Sequence, residues 1–262
     1  MTAPRIPLLI DEQSGIAHVT MHRPERFNAL GTDMVRALRD YFEGLERRTE
    51  VRVVILKGSG KHFCAGLDLK EQKAAGPRGA EDGMQLQHDI RGIMLAMRRC
   101  PQPIISVTQG AASGGGFAIA LASDIRLGTP ETRMNSAAIR LGLTGGDMGI
   151  TYFLPRMIGS SAASEYLLTG RFIDSTRAQA LGLLSRVGTL DEMNAEAEAL
   201  ASEMLQVPQM ALRLTKEGLT HALDAPNLES VMAMEDRQQV LCTLSEDFQR
   251  GIGDFLAARA KG

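Results

Sequence analysis

Gly58-Ser-Gly-Lys-His-Phe-Cys-Ala-Gly-Leu-Asp-Leu69 follows an apolar run, 51–56 (VRVVIL), whose β-branched residues predict a strand. A second glycine segment, Gly110-Ala-Ala-Ser-Gly-Gly-Gly116, follows 103–108 (PIISVT), another expected buried strand. The apolar stretch after it, Phe117–Ala122, predicts a short buried helix. Glycines placed straight after strands let the backbone approach a ligand closely and free N–H groups for an anion. A strand–loop–helix theme therefore repeats, and the fold class is α/β.

Related glycine chemistries fail on spacing. Gly60-Lys61 is followed by His62, and the position five before Gly60 is Ile55, so there is no P-loop. The second loop reads G-x-x-x-G-G-G, not the G-x-G-x-x-G of a dinucleotide site. Ser113 misses the G-x-S-x-G nucleophile elbow by one position. Two backbone N–H groups, one per loop, could instead converge on one oxygen as an oxyanion hole. Losing one such donor costs about 3 kcal/mol of transition-state stabilisation. Glycine content alone is equally consistent with two tight turns.

Outward from the loops, 16–21 (IAHVTM) and 124–128 (DIRLG) predict strands. Met34, Leu38, Phe42 and Leu45 sit at helical spacing, predicting an amphipathic helix over 33–47 with Thr32 as N-cap. Residues 74–83 predict a mobile loop, and 85–99 a helix ending before Pro101. From about residue 175 the chain is expected to be mostly helical, with helices over 191–206, 208–222 and 229–258. The apolar stripes of these helices must bury against either the domain itself or a neighbouring subunit.

The composition excludes several classes. With 262 residues, 44% hydrophobic residues and a net charge of −2, nothing calls for nucleic acid or an anionic membrane. Cys64, Cys100 and Cys242 are far apart, which argues against a zinc site or a disulfide framework. Neither a signal peptide nor a spanning apolar run is evident, so a soluble, cytoplasmic protein is expected. Fourteen methionines suit either a site for flexible apolar ligands or an adaptable core.

Six segments taken together resemble the enoyl-CoA hydratase/isomerase (crotonase) superfamily. Phe63-Cys-Ala-Gly-Leu-Asp-Leu69 is similar to its F-x-A-G-x-D-[LI] motif, and Arg23-Pro-Glu-Arg-Phe-Asn-Ala-Leu30 to its R-P-x-x-x-N-A-L. Cys100-Pro-Gln-Pro-Ile-Ile through Gly114–Gly116, Ser123-Asp-Ile-Arg126, Leu154-Pro-Arg-Met-Ile-Gly159 and Glu246-Asp-Phe follow in the family's order. The resemblance runs from about residue 15 to 258.

It implies a crotonase-like spiral core of β–β–α turns over 1–200, bearing the acyl-CoA site, and a C-terminal helical trimerisation region over 201–262, giving a homotrimer or a hexamer. The implied substrate is an acyl-CoA thioester, with no separate cofactor, since coenzyme A enters as part of the substrate. Its adenine and phosphates would lie near Arg26, Ala29, Ala65, Asp68 and Leu69. The oxyanion donors would be the N–H groups of Leu67 and Gly115.

The acid/base residues depart from the family pattern. Hydratases of this family add water with two glutamates, and the matching positions here are Ala118 and Ala138, whose methyl groups cannot transfer a proton. They suggest room for a bulky acyl group. Asp147 matches the place of a catalytic aspartate in dienoyl-CoA isomerases and in 4-chlorobenzoyl-CoA dehalogenase. It is the expected acid/base, and its alternative reading is an N-cap. A non-catalytic acyl-CoA binder is the alternative function. Among lesser candidates, His62 is expected to face solvent or nucleotide, and His88, beside Asp89 on the helix that could overhang the acyl pocket, is a minor candidate for a second acid/base group. Glu81 and Asp82 should be solvated, Asp68 should stabilise its loop, Asp124 should pair locally, and Cys64 should be a small apolar residue.

Overall fold

A computed structural model describes residues 7–259. It opens with a hairpin, β1 (Leu8–Gln13) and β2 (Ile16–Met21), closed by Ser14 and Gly15 at φ 51° and 87°. Two successive positive φ angles make the tight turn whose twist suits two antiparallel strands. β1 went unread in the sequence because, in LLIDEQ, only Leu8 is buried. Strand β2 occupies the residues expected.

The chain then repeats one pattern four times. A strand of the main sheet leads to a strand or single bridge of a second, narrower layer, and then to helix. After β2 comes the bridge residue Leu30 and α1 (Thr32–Gly44). After β3 (Val53–Gly58) come bridges at Cys64 and Leu67, then α2 (Leu69–Ala75) and α3 (Ala80–Arg99). Next are β4 (Ile104–Thr108), β5 (Ala111–Ser113) and α4 (Gly115–Ala122). The fourth turn is β6 (Ile125–Gly128), β7 (Arg133–Asn135), α5 (Ile150–Ile158) and α6 (Ser160–Thr169). Then follow β8 (Ile173–Asp174), α7 (Ser175–Ala180), β9 (Arg186–Val187) and α8 (Leu190–Gln206).

The main sheet has the order β1-β2-β3-β4-β6-β9, parallel apart from β1, and the narrow sheet the order β5-β7-β8. Central parallel strands are covered on both faces, so β4 is buried at all five residues and β3 at all but Lys57. The eight residues of α4 are buried too, as an all-apolar helix must be. This is the spiral of β–β–α turns that the family resemblance implies.

Several boundaries differ from expectation. The first helix begins at Thr32, with Gly31 as N-cap, because the Thr32 N–H and hydroxyl both bond Glu71 of α2. It ends at Gly44 in a short 3-10 turn, Leu45–Arg47. The expected loop 74–83 is helix at both ends and connects only over 76–79.

The chain divides into two compact units, the first ending at Glu203 and the second beginning at Met204. In the second, α9 (Gln209–Ala222) packs on α10 (Leu228–Thr243), which packs on α11 (Glu246–Arg259). The single helix expected over 229–258 is broken at Leu244 and Ser245, where Ser245 Oγ accepts from the Phe248 N–H as a cap. Among the described residues, no helix is long and apolar enough to cross a membrane.

Candidate active site

The two glycine loops meet in the narrow layer. Cys64 donates to Ala111 O and accepts from Ser113 N–H, at 3.1 and 3.0 Å, while Phe63 N–H bonds Gln109 O at 2.8 Å. Leu30 ties the other side of the first loop, donating to Gly66 O at 2.8 Å and accepting from Asp68 N–H at 3.1 Å. Leu67 lies between those two bonds, and its own N–H takes part in neither. Gly115 is the first residue of α4, so its N–H has no intrahelical acceptor. Among the described residues, neither N–H donates to a protein acceptor.

Glycine is required where the loops touch. A Cβ on Gly66, at φ 86°, would lie 2.6 Å from Ser113 O and 3.2 Å from Gly115 N. One on Gly115 would lie 2.6 Å from Leu30 Cδ1 and 3.0 Å from Met148 Sδ. Leu30 and Met148 thus crowd the Cα of Gly115. Asp147 precedes Met148 in the loop between Gly142 and Gly149. That loop is pinned by Ser136 Oγ, which donates to Gly145 O at 2.7 Å.

The N-cap reading of Asp147 does not hold. The cap of α5 is Gly149, with no side-chain bond, and Asp147 contributes only its backbone O to Ile150 N–H, at 2.9 Å. Met148 adopts φ 51° and Gly149 φ 84°, so the chain turns twice through the left-handed region before the helix starts. For methionine that conformation is strained, and such strain collects at functional sites. Half-burial pushes the Asp147 carboxyl above its ordinary range, against a smaller opposing pull from the Met148 N–H.

Ala118 is fully buried within α4, and Ala138 is half-buried in the 3-10 turn Ala137–Leu141. Neither can act on a proton. Burial pushes the Cys64 thiol up to about 12, so it is no thiolate nucleophile. His88 is exposed on α3, while Asp89 beside it is held by Arg39 at 2.8 Å. Glu81 and Asp82 are exposed at the start of α3. Asp124 pairs locally, with Arg98 and the Ile104 N–H, each at 2.8 Å. Among the described residues, no group of three His, Cys, Asp or Glu could hold a metal.

The segments around Arg26, Ala29, Ala65, Asp68 and Leu69 run side by side, joined by Ala65 N–H to Phe27 O at 3.0 Å. Asp68 is buried and accepts from Arg23 at 3.0 Å, Arg26 at 2.7 Å and Glu71 N–H at 3.2 Å. Burial alone would raise its pKa, but those three donors together hold it below the ordinary range. Asp68→Asn is expected to cost about 2–3 kcal/mol in urea unfolding at pH 7, because two guanidinium groups lose their counter-charge. A lowered folded pKa stabilises above the ordinary value of 3.8 and is lost as pH falls through the folded value. The gap between wild type and variant should therefore shrink below about pH 4.

The bonds of two residues at the site escaped sequence reading. Asn28, buried at φ 55°, accepts from Arg23 N–H and donates to Ser59 O, His62 O and Phe63 O, which fixes the first loop. Its place in R-P-x-x-x-N was visible, but its bonds were not. His62 was expected to face solvent or nucleotide. Its Nδ1 instead accepts from Ala111 N–H in the second loop, at 3.1 Å.

The chain is similar to known proteins over nearly its whole length. The Enoyl-CoA hydratase/isomerase family pattern matches residues 11–261. A Mycobacterium bovis protein named as a probable enoyl-CoA hydratase is 35% identical over 254 residues, covering 94% of this chain and 87% of that protein. The 1,2-epoxyphenylacetyl-CoA isomerase of Escherichia coli is 29% identical, covering 97% and 96%. The crystal structure of an enoyl-CoA hydratase from Mycobacterium smegmatis superposes with a TM-score of 0.91 at 31% identity, covering 97% of each chain.

Proposed function

The chain belongs to the enoyl-CoA hydratase/isomerase family, and from that membership we propose that it acts on an acyl-CoA through a stabilised thioester enolate. Asp147 takes a proton from a carbon beside or conjugated to the thioester carbonyl. The electron pair moves onto the thioester oxygen, which the N–H groups of Leu67 and Gly115 hold. The proton then returns, to the same or another carbon. The observation that carries this reading is the pair of unengaged N–H groups where two loops meet, beside the loop that bears Asp147.

An oxyanion hole acts on charge that exists only in the transition state, so it lowers the barrier rather than merely tightening binding. The positive end of α4 adds to the same spot. One base that abstracts and returns a proton suffices for isomerisation, whereas the family's hydration uses two carboxylates. Ala118 and Ala138 leave this chain without that pair, which favours isomerase-type over hydratase-type chemistry. The same alanines favour a second reading, a homologue that binds acyl-CoA without converting it.

Coenzyme A enters as part of the substrate, against the segments bearing Arg26, Ala29, Ala65, Asp68 and Leu69. Leu69 and Phe27 expose 55% and 54% of their surface there, apolar area that an adenine could cover. The second unit assembles the homotrimer or hexamer. α10 buries none of its own residues, and Leu228, Val240 and Leu244 are 73%, 59% and 77% exposed, a burden that a neighbouring copy would relieve.

The test is mass spectrometry of saturated and 2-enoyl-CoA thioesters incubated with the protein in D2O. Deuterium gain without water addition is the expected result. Water addition would make it a hydratase despite the alanines, and binding without any exchange would make it the non-catalytic binder.

A further inference from the structure

The two loops are joined by backbone bonds and by one titratable side chain. His62 belongs to the first loop, and its Nδ1 accepts from the N–H of Ala111, where β5 begins. β5 runs directly into Gly114 and Gly115. The ring stacks edge-on against Phe27, with centroids 5.0 Å apart, and its backbone O is fixed by Asn28 Nδ2 at 2.8 Å. It therefore has little freedom to turn away. An N–H can be accepted at Nδ1 only by the neutral tautomer that carries its proton on Nε2.

We propose that neutral His62 is a positioning residue, bracing Ala111 so that the Gly115 N–H meets the Leu67 N–H at the spacing one oxygen needs. This inference rests on the oxyanion reading above. Protonation turns Nδ1 into a donor facing another donor, and the brace is lost. The charged groups bearing on the ring are Lys61 of its own loop and Arg133 of β7, both cationic. Burial, together with those two, lowers the pKa from the ordinary 6.5. Because the folded state prefers the neutral ring, the brace is complete above that value and is lost as pH falls through the lowered one.

Two variants separate this role from packing. H62F keeps a ring against Phe27 but offers no acceptor. H62N offers Oδ1 near the position of Nδ1 and cannot titrate. The readouts are deuterium exchange into butyryl-CoA between pH 5 and 8, as kcat and KM, and the protection of the Ala111 amide by NMR hydrogen exchange. H62F should lose kcat about thirtyfold with KM changed less than threefold, and lose Ala111 protection at every pH. H62N should recover most of kcat at pH 7.5 and drop the part of the acidic limb that belongs to His62, with flat protection.

Wild-type protection should fall at least tenfold toward pH 5. If H62F keeps the wild-type kcat profile and Ala111 protection, the proposal is overturned. If wild type turns over no thioester, the enolate reading fails by itself. Ala111 protection then still decides whether His62 braces the loop.

Discussion

Asp147→Asn should lower kcat for proton exchange by about 10²–10⁴-fold, the usual contribution of a general acid–base group. Acyl-CoA affinity should change little, since no bond from the carboxylate to another side chain would be broken. The side chain is half-buried, caps no helix, and is carried between glycines in a loop pinned at Gly145. Asparagine keeps its shape and removes its basicity. In wild type the base is active only when ionised. Activity should therefore fall as pH drops through a value raised above the ordinary 3.8 by burial. The residual activity of the variant should not show that limb. Equal activity and affinity in the two proteins would remove Asp147 from the chemistry.

Gly66→Ala should be the next most damaging change, by about 10²–10³-fold in kcat, as for loss of one oxyanion donor. The new methyl would meet Ser113 O at 2.6 Å and Gly115 N at 3.2 Å. Both are backbone atoms that cannot swing aside, so the two loops must separate, and with them the two N–H groups. Alanine at φ 86° also costs about 1–2 kcal/mol of stability. Gly76→Ala supplies the control: it lies at φ 74° with nothing within 4 Å of the added carbon. Both variants should lose similar stability from backbone strain, and only Gly66→Ala should lose kcat as well. Similar kcat in the two would mean that loop separation does not matter.

Sequence and structure agree best where burial is complete. Apolar runs dictated β4 and α4 almost residue for residue, because elements covered on all sides leave no alternative to a continuous apolar stretch. β1 was missed because an edge strand with five of six residues exposed carries no such signal. β5, β7, β8 and β9 span only two or three residues each, too few for any period to register. The two glycine loops were legible from their place after strands. The roles of Asn28 and His62 were not, since the loop atoms that Asn28 Nδ2 and His62 Nδ1 bond lie 31 to 49 residues away in the chain. The N-cap at Gly149 depends on a left-handed methionine, which no propensity predicts.

The narrow layer has a consequence for how the protein comes into being. Its bridges join Leu30 to Leu67, Cys64 to Ala112, and β5 to β7, so each successive turn finishes the one before it. No stretch of fewer than about a hundred residues contains all the groups that converge there. Loop-closure entropy must be overcome before those contacts reward it, which makes such assembly slow. A nascent chain released before Asn135 would carry both glycine loops yet lack the carbonyl that holds Gly114. Folding intermediates should accordingly be blind to the substrate, and a tight-binding thioester analogue should slow unfolding without accelerating folding.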